Sequence, residues 1–270
     1  MEVPKITHPR ERRKTTLKIP RVIHQTMKSS RLPTHMWTSG PHTWIKHNPA
    51  WEHRFYDDKD CEEFIRVHVP EALPAWNVCR IGAMKADLFR YAVLWIHGGL
   101  YADIDTYACG PIENYVSNEL SYITSLAHGE RRSPQHQVII ISSQNWLMKK
   151  CIELSIENII NDKPITGGNW PRLAGYAGPP VLDLALRIAE RPYDKTLDKF
   201  DNHRMLMKWN HRIGVYRIIN IGKVQIYNFK WLFGKMYFPK YSGYKKDIKK
   251  MGLQTWQIES KDSVILSDSN

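Results

Sequence analysis

Two aspartates one residue apart, Asp103 and Asp105, stand in the run Tyr101-Ala102-Asp103-Ile104-Asp105. Carboxylates this close raise each other's pKa unless a cation lies between them. A hard divalent ion, Mn²⁺ or Mg²⁺, suits such an all-oxygen pair, and these ions are often shared with substrate phosphates. Upstream, Asp87 and Arg90 are three apart, which makes them neighbours on a helix surface. A solvated ion pair of little energetic worth has the same spacing, and Asp-x-Asp is common by chance. The combination is far more specific than either pair.

Positioning these groups takes a helix, a sharp reversal and a strand. Ile81, Met84, Leu88, Ala92 and Trp95 recur at spacings of three and four and draw one apolar stripe. His97-Gly98-Gly99 should end the helix, because glycine enters the left-handed conformation of a helix terminus at least cost. Leu100, Ala102 and Ile104 then alternate with Tyr101, Asp103 and Asp105. In an extended strand the first set would pack inward, and the second would present a tyrosine and two carboxylates.

Asp-x-x-Arg-Tyr at Asp87, Arg90 and Tyr91, Gly-Gly-x-Tyr at Gly98, Gly99 and Tyr101, and Asp-x-Asp at 103–105 together resemble the signature of glycosyltransferases with a sugar-binding DXD region. That group includes the Och1-like mannosyltransferases of yeast (glycosyltransferase family 32) and, more distantly, the clostridial glucosylating toxins. The opening Ile19-Pro20-Arg21-Val22-Ile23-His24-Gln25 is similar too, as are Asn48-Pro49-Ala50-Trp51, Gly178-Pro179 and Tyr237-Phe238-Pro239. Two departures stand out. Met27 replaces a tryptophan common in the family, and Thr255-Trp256 stands where relatives have Ser-Trp, with no histidine before it.

The resemblance implies a GT-A type nucleotide-sugar-binding fold, a mostly parallel central sheet flanked by helices. It also implies transfer of a hexose from a UDP- or GDP-sugar to an acceptor hydroxyl with retention of configuration. Asp87 and Arg90 would hold the transferred sugar, and Asp103 and Asp105 the Mn²⁺ or Mg²⁺. His24, Gln25, Tyr101, Asp103 and Trp256 would contact the donor, with packing in a core the alternative for Tyr101 and Trp256.

The remaining elements alternate as an α/β chain should. Short strands are expected at 19–25, 52–56, 120–126, 137–142 and 224–229. Helices are expected near 43–46, at 61–68 with Asp60 as cap, at 145–160 and at 181–190. Residues 1–18 read as a polar, mobile arm, 19–270 as one GT-A-like domain, and 240–270 as a segment closing over the donor with Trp256 near the diphosphate. The charged loop His128–Arg132 could overlie substrate. Lys245, Lys246, Lys249 and Lys250 read better as a solvated helix face than as a phosphate site.

With 42% hydrophobic and 24% charged residues among 270, a sizeable core is possible. The formal charge of +12 admits nucleic acid, anionic lipid or a phosphorylated substrate, but no helix-turn-helix, zinc-finger or RNA-binding signature supports the first. Four scattered cysteines give neither a zinc site nor a disulfide framework. No Asn-x-Ser/Thr sequon, signal-peptide core or membrane-spanning stretch is found. The expectation is therefore a soluble cytoplasmic enzyme of bacterial or viral origin, open to peripheral membrane association. Its partners would be a nucleotide-sugar and a glycan, glycolipid or protein acceptor. Asp103-Ile104-Asp105-Thr106 also fits the Asp-x-Asp-x-Thr of haloacid-dehalogenase-like phosphatases, whose first carboxylate attacks phosphate. A basic, non-enzymatic binding protein is the third alternative.

Overall fold

The computed structural model describes residues 1–13, 16–125, 134, 136–166, 171–189, 214–218, 221–227, 236–238 and 240–253. Strands β1 (Ile6–Thr7), β2 (Val22–Thr26), β3 (Glu52–Tyr56), β4 (Gly99–Ala102), β6 (Leu120–Ser125), β7 (Val138–Ile141), β8 (Gly214–Ile218) and β9 (Gly222–Tyr227) form one eight-stranded sheet in the order β1-β3-β2-β4-β7-β6-β9-β8. A separate ribbon pairs β5 (Tyr107–Ala108) with β10 (Tyr237–Phe238).

The α/β class is as expected, but strand direction is mixed rather than mostly parallel. β3, β2 and β4 run parallel to one another, as do β6 and β9, whereas β7 is antiparallel to both β4 and β6. The reason lies in the connections. Between β2 and β3 the chain makes α1 (Thr34–Ser39) and α2 (Pro41–His47). Between β3 and β4 it makes α3 (Asp58–His68), α4 (Leu73–Val78) and α5 (Gly82–His97). Helical crossovers of that length return a strand parallel, whereas the 12-residue connection from β6 to β7 simply reverses it.

Each face of the sheet is covered. Tyr101, Tyr122, Ile139 and Ile141 pack against α3, α5, α6 (Trp146–Ile160), α7 (Ala174–Ala177) and α8 (Pro179–Ala189). Leu100, Ala102, Val138 and Ile140 point the other way, onto Trp44, Ile112 and Tyr237. The register places Leu100 opposite Ile140 and Tyr101 opposite Ile139, so alternate residues of β4 enter two different cores. The expected one-sided β4 is thus corrected: the strand is central and buried on both faces. It also stops at Ala102, so the carboxylates lie beyond it.

Residues 1–13 do not form the expected free arm. β1 pairs with β3, Val3 is buried beside Leu32 and Phe55, and Lys5 meets Asp57 and Asp60. The α3 cap also differs from expectation. Asp57, not Asp60, is the N-cap, and Asp60 reaches back to the Asp57 amide to complete a capping box.

Candidate functional site

The site begins with the reversal from α5 into β4. Gly98 (φ +63°) takes the helix's last bond through its amide to the Leu94 carbonyl, and Gly99 follows at φ +94°. A Cβ at Gly99 would stand 2.3 Å from the Val22 carbonyl oxygen, so β4 lies tight beside β2 only because that atom is missing. α5 then runs back over the sheet face carrying Tyr101 and hangs Asp87 and Arg90 above it.

Beyond Ala102 the chain turns at the carboxyl ends of the parallel strands, where open α/β sheets bind ligands. The Asp103 carbonyl anchors this turn. It accepts from the Thr106 amide (3.0 Å), the Thr106 hydroxyl (2.7 Å) and Gln25 Nε2 (3.3 Å). Trp44 Nε1 donates to Thr106 Oγ1 at 3.2 Å, and Ile104 is buried among Met36, Ile45 and Phe55. The two carboxylates therefore project from a pinned turn.

Arg90 gathers the acidic groups. Its Nη1 donates to Asp87 Oδ1 at 2.7 Å and its Nη2 to Asp103 Oδ1 at 2.5 Å, while the guanidinium carbon lies 4.6 Å from the Tyr101 ring centre. The Arg90 side chain is only 4% exposed, whereas Asp87 and Asp103 keep 19% and 33%. The surface ion pair weighed from the sequence is thus a buried clamp with its acidic ends facing out. Burial opposes the Arg90 charge, but Asp103, Tyr101 and Asp87 outweigh it and hold its pKa above the usual value. Burial pushes Asp87 up to about 6 against the pull of Arg90, with Asp103 adding to the rise. Asp103 is raised by burial too, with Arg90 opposing.

Asp105 faces the other flank. Burial and then Asp103 push its carboxyl up to about 7, with Lys240 opposing from 3.7 Å. The Tyr241 amide donates to the Asp105 carbonyl at 2.9 Å. Tyr241 packs beside α1 with Ile248 of α9 (Tyr244–Lys250). Buried Asp247 secures the segment, accepting from His35 Nδ1 (2.8 Å) and Tyr241 Oη (3.1 Å).

The structure brings Asp87, Arg90, Tyr101, Asp103 and Asp105 together. It corrects the donor contacts expected of three residues. Tyr101 is 1% exposed and lies beneath Arg90, because β4 is covered on both faces. His24 and Gln25 are fully buried in β2. His24 lies 3.0 Å from the Gly98 carbonyl through Nε2, which therefore donates, and Gln25 accepts from His53 Nε2 at 3.0 Å while bonding the Asp103 carbonyl. They shape the glycine reversal and the carboxylate turn instead of reaching a ligand. Trp256 and the His128–Arg132 loop lie outside the described residues. Lys245, Lys246, Lys249 and Lys250 are exposed on α9. Two neighbours were not named from the sequence, His136 and Lys240. Neither carries a spacing signal, since each reaches the site from a distant part of the chain.

A divalent ion fits the acidic turn in part. Among the described residues no cluster of three or more His, Cys, Asp or Glu is built to hold a metal. The protein offers two hard carboxylates whose mutual repulsion a cation would relieve, and further oxygens would have to come from ligand phosphates and water.

Residues 34–122 match the model of the glycosyltransferase sugar-binding region containing DXD motif. That stretch is similar to a DXD glycosyltransferase region. The initiation-specific alpha-1,6-mannosyltransferase of Candida albicans is 37% identical over 79 residues, 28% of this chain and 20% of that protein. Inositol phosphoceramide mannosyltransferase 3 of Schizosaccharomyces pombe is 32% identical over 87 residues, 32% of this chain and 24% of that protein. The matches thus span about a quarter or less of these relatives' length. Among solved structures, PaToxG glycosyltransferase superposes with a TM-score of 0.46 at 15% identity, covering 66% of this chain and 72% of the other. The fungal relatives overturn one expectation. The expected cytoplasmic enzyme of bacterial or viral origin is contradicted by them. No helix among the described residues is long and apolar enough to cross a membrane.

Proposed function

We propose that the protein is a hexosyltransferase of the GT-A type. In this reading residues 19–270, with the N-terminal segment docked through β1, form the catalytic domain and move a sugar from a nucleotide diphosphate donor to an acceptor hydroxyl with retention of configuration. Mannose is the first donor sugar to test, and a glycan or glycolipid the first acceptor, because the matched relatives are named for mannosyl transfer and, in one case, for inositol phosphoceramide. The observation that carries the proposal is the Arg90 clamp. One buried guanidinium holds two partly exposed carboxylates at the carboxyl end of β4, inside the region that matches the DXD family.

Asp103 and Asp105 would hold Mn²⁺ or Mg²⁺, which when bound offsets the charge that builds on the departing diphosphate. Asp87 presents its outer oxygen to sugar hydroxyls while Arg90 fixes its inner one. The Asp103 carbonyl, locked by Thr106 and Gln25, keeps the turn from moving as charge shifts. Lys240 and Tyr241 lie against Asp105, and in this proposal the segment that begins there closes over the donor and excludes water from it, with Lys240 meeting the diphosphate. No observation favours the phosphatase alternative or a non-enzymatic binding protein.

The test is release of nucleoside diphosphate from GDP-mannose, UDP-glucose, UDP-galactose and UDP-N-acetylglucosamine, with and without Mn²⁺. Metal-dependent release from one donor is expected. Release from none, with or without a mannoside acceptor, would reject the proposal.

A further inference from the structure

Arg90 has a third partner beyond its two carboxylates. His136, 7% exposed, lies just before β7 with its ring against the guanidinium: Nη1 contacts Nδ1 and stands 2.9 Å from Nε2. Nε2 in turn lies 2.7 Å from Tyr91 Oη, and that hydroxyl lies 3.2 Å from the Gly178 carbonyl. Asp87 Oδ1 is 3.5 Å from Nδ1 on the remaining side.

The protons along this chain can be assigned. Of the two ring nitrogens that Arg90 Nη1 meets, Nδ1 is the nearer, and because a guanidinium has donors only, that nitrogen is the unprotonated acceptor. A carbonyl only accepts, so the Tyr91 hydroxyl donates to Gly178 and its oxygen is left to accept. His136 is then neutral, with its proton on Nε2 directed at Tyr91 and its Nδ1 lone pair directed at Arg90. Burial, followed by the adjacent Arg90 charge, keeps the ring well below its usual pKa. Among the described residues Arg90 Nε has no hydrogen-bond partner, so the guanidinium is oriented by what its two terminal nitrogens meet and by the Tyr101 ring beneath it.

We propose that His136 is a positioning residue for the sugar-holding clamp: its Nδ1 lone pair fixes the rotation of the Arg90 guanidinium between Asp87 and Asp103, and Tyr91 with the Gly178 carbonyl fixes His136. Gly178 ends α7 and precedes α8, and a Cβ there would come within 2.7 Å of the Ala174 carbonyl oxygen. The chain of bonds therefore ties the clamp to a tight helix junction on the far side of α5. The role in sugar binding rests on the transferase proposal; the proton assignment does not.

Two measurements test it. Long-range ¹⁵N–¹H NMR of the intact protein should show His136 neutral at pH 7 as the Nε2–H tautomer, and Tyr91→Phe should keep that tautomer, since Arg90 still takes the Nδ1 lone pair, while shifting the Nε2 resonance that has lost its partner. An Nδ1–H tautomer, an imidazolium at pH 7, or an Nε2 resonance unmoved in Tyr91→Phe would overturn the proposal. Calorimetry should show that His136→Phe weakens GDP-mannose binding by about tenfold or more, the scale on which outer partners tune a functional group. GDP, which lacks the sugar, should keep its affinity within about twofold, and His136→Asn, whose carbonyl can accept from Arg90, should recover part of the loss. Equal losses for both ligands, or no loss, would make His136 merely structural and overturn the role. If His136→Phe does not fold, His136→Asn against Tyr91→Phe makes the same comparison. If the wild type binds none of the four nucleotide-sugars, the transferase proposal fails, and the tautomer alone decides the His136 link.

Discussion

Asp103 and Asp105 are two residues apart on one turn, yet their flanks are built differently. On the α5 side Asp103 meets a guanidinium that is almost fully buried and held in turn by Asp87, Tyr101 and His136. On the other side Asp105 meets Lys240, which is 45% exposed and stands 3.7 Å away. The first flank belongs to the largest apolar core of the molecule. The second is a short segment joined by the Tyr241 amide and by the bonds of Asp247. One carboxylate is thus set by the core, and the other by a half-exposed lysine and one backbone bond. If the site grips a donor and releases its diphosphate, as proposed, that division would serve both steps.

The largest effect should come from acid. His24, His53 and His136 are buried and held neutral chiefly by burial, His53 down to about 3 and the other two well below the usual value. Each is protonated in the unfolded chain near pH 6.5, so its contribution is complete above that pH and is lost as pH falls toward the folded value. Each such group removes about 1.4 kcal/mol per pH unit over that window. Asp87, Asp103 and Asp105, all raised in the folded protein, take up protons over part of the same window and offset some of this loss, so urea melts should show a net fall in stability from pH 6.5 to 4.5 that steepens in Asp105→Asn. The Asp247 link should persist over the same range, because its pKa is lowered, through His35 and Tyr241 once burial is overcome, and its contribution is lost only below the usual carboxylate range. A ring of His24, His53 or His136 seen by NMR to titrate near pH 6.5 in the folded protein would contradict the buried, neutral histidines.

Arg90→Ala comes next. It strands two carboxylates beside a core, and breaking a buried pair in this way costs about 3–5 kcal/mol. Loss of Tm together with roughly 100-fold or greater loss of kcat/KM is expected, the scale of removing one charged donor from a reacting centre. A change of less than about 1 kcal/mol with normal turnover would return the pair to an ordinary surface bridge.

Asp247→Ala should act on the other flank only. Leaving His35 and the buried Tyr241 hydroxyl without their acceptor costs about 1–3 kcal/mol. Hydrogen exchange should quicken through 240–253 while β2 and β4 stay protected. Exchange that rises equally in both would erase the contrast between the flanks. Lys240→Met is the mildest change: stability should move by less than about 1 kcal/mol, while affinity for a nucleoside diphosphate falls about threefold to tenfold if the ammonium meets phosphate.

The α5 flank was legible in the sequence because its signals are local. The three-and-four spacing from Ile81 to Trp95, the Gly98-Gly99 reversal and the Asp103–Asp105 pair all lie within 25 residues and obey one helix period and one turn rule. Long-range features were not legible. The two-sided burial of β4 depends on β7, some 40 residues later, arriving antiparallel, which sends Tyr101 under α5 and away from any ligand. His24 and Gln25 stand in a strand of the expected place and length, but their polar ends are used by Gly98, His53 and the Asp103 carbonyl, partners from other elements. His136 and Lys240 reach the clamp from 46 and 135 residues away, and no periodicity marks such meetings.

The central claim is that the acidic turn binds a nucleotide-sugar through a divalent cation. Isothermal calorimetry of GDP-mannose, or whichever donor yields turnover, with and without Mn²⁺ tests it most directly when wild type and Asp105→Asn are compared. Removing one of two repelling carboxylates should leave the fold intact. The account predicts Mn²⁺-dependent binding in the wild type and loss of that dependence, with nearly all transfer, in Asp105→Asn. Equal affinity in chelator, or an Asp105→Asn protein that keeps metal-dependent binding and full turnover, would contradict it.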